Sequence, residues 1–201
     1  MPHADSSLVP SSIQTKPEFW QHVYEQLQFL LEGQRHWISN LANASSVIYN
    51  SLQAFPKYFG DGERAVNWAG FYIHADIFPS PKLSSSTEPL PRDLLLLAPF
   101  CGKPACQSIS VAPGKIRGVC GQAFASGTTI LVPDVDAYPG HIACDGETKS
   151  EIVCPLVLDT GNGQRVLGVL DLDCLALNGF DEDDKVALEK IARLVVDSSD
   201  W

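Results

Sequence analysis

The sequence predicts an α+β domain in which an antiparallel β-sheet is flanked by α-helices. Two amphipathic helical runs open the chain and another closes it, while the region between is built from short apolar runs of strand length. Those runs are joined mostly by turns or loops too short for helical crossovers, and neither G-x-G-x-x-G nor G-x-x-x-x-G-K-[ST] occurs, which disfavours a parallel doubly wound sheet.

Residues 1–15 are Ser/Pro-rich without periodicity and are expected to be a flexible tail, leaving 16–201 as a single domain. From Pro17, a good first helical residue, Phe19, Val23, Leu27 and Leu30 recur near one face of a helix that stops at Gly33. A second helix runs over 37–55, with Leu41, Ala44, Val47, Ile48 and Leu52 at helical spacing. Its expected task is packing on a sheet or on a second subunit. Between 64 and 76 bulky residues alternate on both faces, which suits a strand. Residues 78–91 read as a loop and 92–100 as the returning strand of a hairpin. The segment 101–104 is expected to break that strand before another over 105–111.

A short helix over 118–125 is closed by Gly127, and 128–132 is a β-rich run. After a polar loop come strands over 151–158 and 165–174, joined by the turn 160–163. In the second of these, Asp171 and Asp173 share a face because side chains two apart in a strand point together. A capped helix over 181–196 ends the chain, with acidic residues in its first turn and Val186, Leu188, Ile191 and Leu194 inside.

Composition narrows the function. A chain of 201 residues with 45% hydrophobic content supports one sizeable core. A net charge of -10 is repelled by nucleic acid and by anionic membranes, so a small zwitterion or a protein is the better partner. No secretory pattern opens the chain and no apolar run is long enough to span a bilayer, so a soluble cytoplasmic protein is expected. Six cysteines in that setting point to metal or redox chemistry. Metal is the weaker option, since there is no C-x-x-C pair and no paired His spacing, although ligands can converge in space.

The chemistry concentrates in residues 139–154, PGHIACDGETKSEIVC, where a Pro-Gly turn delivers Cys144 to the mouth of a polar loop tied at its far end to a strand. Cys101, Cys154 and Cys174 lie in or beside apolar runs and read as small buried hydrophobes. Cys120 sits by glycines at a helix start, where the helix dipole favours thiolate, and Cys106 follows a Lys-Pro-Ala step at a strand entrance. Asp171, Asp173 and Glu151 border strongly apolar runs and so face a polar cavity, suited to an ammonium-bearing substrate or to proton delivery. The bland alternative for these acids is a solvated strand end. Trp68 and Tyr72 share a strand face; they are either core or the wall of an apolar pocket for a thioether or sulfoxide. His141 is a candidate modulator of Cys144, against the usual surface histidine.

Seven motifs in order, N-W-A-G-F-Y at 67–72, G-K-P-A-C at 102–106, G-V-C-G at 118–121, V-P-D-V at 132–135, P-G-H-I-A-C-D at 139–145, S-E-I-V at 150–153 and L-G-V-L-D-L-D at 167–173, resemble the free methionine-R-sulfoxide reductases. The resemblance implies a GAF-like antiparallel sheet flanked by helices, commonly a homodimer, that reduces free methionine-R-sulfoxide without metal or organic cofactor. It implies Cys144 as nucleophile, Cys106 as main resolving thiol and Cys120 as a further redox cysteine. Trp68, Tyr72, Glu151, Asp171 and Asp173 would line the substrate pocket, with Glu151 or Asp173 as proton donor and thioredoxin as the external dithiol. The competing readings are a noncatalytic GAF-type sensor of a small ligand, which needs no resolving cysteine, and a zinc-stabilised interaction module.

Overall fold

Local signals set where the helices begin and end. In the computed structural model, which describes residues 8–60, 62–79, 91–142, 144–161 and 163–201, helix α1 (Lys16–Leu31) starts one residue before Pro17. The cause is a reciprocal cap: Thr15 Oγ1 accepts the Glu18 amide at 3.3 Å and the Glu18 carboxylate accepts the Thr15 amide at 2.9 Å. Residues 1–7 of the expected tail lie outside the described residues; of the rest, Val9 and Ile13 pack half-buried against the core. Helix α2 (Trp37–Gln53) buries Leu41, Ala44, Val47, Ile48 and Leu52, as their spacing predicts.

Six strands follow: β1 (Val66–His74), β2 (Leu94–Gly102), β3 (Ser108–Ser110), β4 (Ile130–Val132), β5 (Ser150–Thr160) and β6 (Gly163–Cys174). A short helix, α3 (Gly118–Ser126), precedes β4, and α4 (Glu182–Asp197) closes the chain. Among the described residues these six strands pair antiparallel throughout, in the order β3-β2-β1-β6-β5-β4. Residues 80–90 of the expected 78–91 loop lie outside the described residues.

Among the differences from the sequence expectations are two strand boundaries and one helix face. Strand β2 continues through Cys101 and Gly102 because both still pair with β1, opposite Ala69 and Trp68. Strand β3 is only three residues long, so Cys106 sits in a loop and not at a strand entrance. In α4, Val186 is exposed, while Leu188, Ile191, Ala192, Val195 and Val196 are buried. Val186 lies about half a turn around the helix from the centre of that set, and packing on β5 and α1 buries the set.

The two faces of the sheet differ. Ala69, Phe71, Ile73, Ile152, Cys154, Leu156, Leu170, Leu172 and Cys174 meet α1, α2 and α4 in the main core. The opposite face, with Trp68, Tyr72, Val153 and Val169, meets α3 in a smaller cluster. Only the second face carries acids among its buried strand residues, so the single covering helix leaves room for a site.

A buried ionic junction locks α1 to α4. The Asp184 carboxylate, fully buried, accepts from Lys16 Nζ at 2.5 Å and Trp20 Nε1 at 2.7 Å, and Lys16 also meets Asp181 at 2.9 Å. Asp184→Ala strands a buried ammonium and a buried indole N–H. It is expected to lower unfolding free energy by about 3 kcal/mol, the low end for a broken buried pair because Asp181 still holds Lys16. Urea denaturation of the two proteins measures it.

Candidate active site

Strand register assembles the acids. Across β1, β6 and β5, Trp68 pairs with Asp173 and Gly70 with Asp171, while Glu151 and Val153 pair with the same two acids from the other side. Alternation then turns Trp68, Tyr72, Asp171, Asp173 and Glu151 to the α3 face. With α3 and the 141–148 loop they line a cavity of about 510 Å3 free of protein atoms, its open mouth included. Cys120, His141 and Cys144 line it too.

The aromatic wall is a stack. The Trp68 ring lies 5.6 Å from that of Phe100 and 5.8 Å from that of Tyr72, centroid to centroid. Gly70 makes this possible, because a Cβ there would meet Phe100 Cβ at 2.3 Å and the Trp68 ring at 2.8 Å. The indole Nε1 of Trp68 is buried without a hydrogen-bond partner among the described residues. Tyr72 donates its hydroxyl to the Cys106 carbonyl oxygen at 2.8 Å, and burial, with the nearby acids, keeps that hydroxyl protonated.

Cys106 and Cys144 are joined in a disulfide, their Cα atoms 5.7 Å apart. Cys144, which lines the pocket, is exposed on its loop and Cys106 is half-exposed, so the pair is open to an external thiol. Cys101, Cys120, Cys154 and Cys174 are free; the last two are buried as the sequence predicts, whereas Cys101 is only partly so.

Cys120 departs from expectation. It occupies the first turn of α3, yet burial and then the charges of Asp171 and Glu151 push its thiol well above the ordinary value. The thiol therefore stays protonated and donates to Asp171 Oδ2 at 3.2 Å, with Glu151 Oε1 at 3.9 Å. Burial beside two carboxyl groups outweighs a helix dipole that acts as half a charge.

The carboxyls are crowded in the same way. Burial raises Glu151 to about 7, with Asp173 adding to the rise and the hydrogen bond from His141 opposing it. Asp171 is held well above the carboxylate range by burial and by Glu151. Asp173 is raised by burial, then by Asp171 and Asp145, although part of its surface opens to the cavity. Asp171 is thus pushed towards its proton-bearing form beside Glu151. His141, in the sequence either a modulator of Cys144 or a surface histidine, sets its Nε2 3.3 Å from Glu151 Oε2.

Cys120, Glu151 and Asp171 do converge to metal-binding distance, their ligand atoms all within 4.8 Å of one another. Burial pushes each of the three groups towards its neutral form. Residues that sequence reading passed over bind the two cysteine loops together: Asn67, Lys103 and Asp145. The one signal for them is Asn67, an amide next to Trp68 on a strand whose other residues are mostly apolar.

Comparison with known proteins agrees with this geometry. Residues 65–197 match the GAF domain family. The free methionine-R-sulfoxide reductase of Saccharomyces cerevisiae is 41% identical over 193 residues, 96% of this chain and 92% of the relative. That of Escherichia coli is 34% identical over 176 residues, 88% of this chain and 86% of the relative. The X-ray structure of the Neisseria meningitidis free methionine-R-sulfoxide reductase in complex with its substrate superposes with a TM-score of 0.71, at 34% identity, covering 96% of this chain and 95% of that one. Identity at this level along nearly the whole length, on a GAF fold that carries a cysteine pair at the mouth of an acid-floored pocket, places the chain in the free methionine-R-sulfoxide reductase family.

Proposed function

We infer that the chain reduces free L-methionine (R)-S-oxide to L-methionine with its own thiols. The observation that carries this reading is the meeting of Cys144 and Cys106 above a pocket floored by Glu151, Asp171 and Asp173, in a chain of this family. A noncatalytic sensor has no use for such a pair.

In the proposed reaction the Cys144 thiolate attacks the sulfoxide sulfur while Glu151 gives its proton to the oxygen. Glu151 suits the task because its pKa, about 7, lies near the working pH. The protonated oxygen passes from the substrate sulfur to the Cys144 sulfur as the transient S–S bond and the substrate S–O bond break, so methionine leaves and Cys144 remains as the sulfenic acid. The Cys106 thiol condenses with it, forming the disulfide and releasing water. A thioredoxin-type dithiol then reduces the disulfide, which its exposure allows. Cys120, held protonated, is assigned the secondary place: it donates to Asp171 and enters redox exchange only through the Cys106–Cys144 bond.

Trp68 and Tyr72 would hold the methyl group and chain, and the unpaired Trp68 N–H offers a donor to a substrate oxygen. The acids would take the ammonium group. An arriving positive charge favours ionisation of one crowded carboxyl, while its neighbours keep their protons for donation. We further propose a homodimer, supported by Phe29 and Val186, large apolar side chains exposed on α1 and α4. A reducing, cytoplasmic setting suits four free thiols. No helix among the described residues is long and apolar enough to cross a membrane.

Initial rates on free R, free S and N-acetylated R substrate test the reading. Free R sulfoxide is expected to be used well, free S not at all, and the blocked form at least about tenfold less efficiently, since acetylation removes the charge the acids recognise. Equal rates on free and blocked forms would remove the case for an amino-acid pocket.

A further inference from the structure

The Cys106 loop leaves the end of β2 and the Cys144 loop enters β5, strands separated in the sheet by β1 and β6. Three interstrand steps of about 4.8 Å amount to about 14 Å, far more than a disulfide can span. Both loops emerge at the same end, since β2 finishes with Gly102 opposite Trp68 and β5 starts with Ser150 opposite Cys174. Something beyond the ladder must draw them together before any covalent bond exists.

Asn67 stands between them and holds both. Its carbonyl oxygen accepts the Lys103 amide at 3.3 Å, and its side-chain Nδ2 donates to Asp145 Oδ2 at 2.9 Å and to Thr148 Oγ1 at 3.0 Å. Gly102 permits the first contact: its φ is 116°, and a Cβ there would meet the Asn67 carbonyl oxygen at 2.3 Å. The Lys103 ammonium then reaches across to the other loop, 3.3 Å from Asp145 Oδ2 and in contact with Glu147. Lys103 is three residues before Cys106 and Asp145 directly follows Cys144. The charge pair therefore closes the gap beside the two sulfurs.

We propose that Lys103, clasped to Asp145 and Glu147 over the Asn67 hub, is a positioning residue that presents the resolving thiol Cys106 to the Cys144 sulfenic acid. The clasp acts on the second chemical step alone: Cys106 sulfur bonds to Cys144 sulfur, the S–O bond of the sulfenic acid breaks, and the departing hydroxide takes a proton to become water. Oxygen transfer from substrate is carried out by the pocket acids and Cys144, and the Lys103 side chain meets Asp145 and Glu147 instead. The inference rests on the roles proposed above for Cys144 and Cys106.

A single-turnover experiment tests it. Reduced protein is mixed with one equivalent of free methionine-R-sulfoxide, and methionine release, dimedone-trappable sulfenic acid and disulfide are followed in time. In Lys103→Met, methionine release is expected to keep its rate while disulfide formation slows about tenfold, as loss of a charge-assisted contact implies, and sulfenic acid accumulates. Lys103→Arg, which keeps the charge, should restore most of the rate. Raising the salt concentration should slow disulfide formation in the native protein and leave Lys103→Met unaffected, because Lys103 and Glu147 are both well exposed. Unchanged disulfide formation in Lys103→Met overturns the clasp, as does an equal slowing of methionine release, which would mean a general structural defect. Absence of methionine release from the native protein would instead overturn the reductase reading.

Discussion

Replacing Cys144 by serine is expected to remove turnover of free methionine-R-sulfoxide down to the uncatalysed background, a loss on the order of 10^4 or more. A serine hydroxyl is scarcely ionised at neutral pH and forms no counterpart of the sulfenic acid, so both the attack and the oxygen transfer are lost together. Folding should be nearly indifferent, because Cys144 is exposed on a loop and packs into neither core cluster. The contrast with Cys106→Ser sharpens the test. That variant should still release one methionine per chain and stop at the sulfenic acid, which dimedone labels. A Cys144→Ser protein with near-normal turnover would sink the assignment of the nucleophile.

Glu151→Gln is expected to lower kcat/KM by about 10^2 to 10^3, within the usual range for a general acid, and to remove a limb from the pH profile. Glu151 must carry its proton to deliver it, and its pKa in the folded protein is raised to about 7, chiefly by burial. Activity should therefore fall as pH rises through neutrality in the native protein, and that decline should be missing in the variant. Stability follows the same group with a definite sign. The unfolded chain releases the Glu151 proton near the ordinary glutamate value of 4.5, whereas the folded chain keeps it until about 7. Between those values the folded state binds more protons, so stability declines with increasing pH. The contribution is fully present below 4.5 and is lost as pH passes 7. Thermal melts at pH 5 and pH 8 should show the drop, and Glu151→Gln should shrink it, leaving the part due to Asp171 and Asp173, which are raised in the same direction.

Why Asp184 and the pocket acids behave differently is a matter of partners. Asp184 is buried against an ammonium and an indole N–H, and its task is to hold α1 to α4. Glu151, Asp171 and Asp173 are buried mainly against one another and a thiol, so they hold protons that chemistry can use. The sequence separates them by element, Asp184 in the first turn of a helix and the other three on strands, but the partners that each one meets are set by tertiary packing.

What the sequence determined by itself is everything governed by neighbours within a few residues. Helix periodicity in 16–53 and 182–197, the left-handed stop at Gly127 and the antiparallel β5–β6 hairpin all follow from local torsional preference and alternation. The order of seven motifs identified the family for the same reason, because it is a property of the chain as written. Tertiary structure decided what depends on partners far along the chain. The β1–β6 pairing, which sets Trp68 opposite Asp173, joins segments about a hundred residues apart and has no turn to announce it. That pairing turns isolated strand acids into a crowded cluster, and the crowding makes Cys120 a protonated donor where its helix position alone favours thiolate. The Asn67–Lys103–Asp145 clasp belongs to the same class: three polar residues with no shared local pattern meet because two loops leave one end of a sheet whose strand order no local interaction encodes.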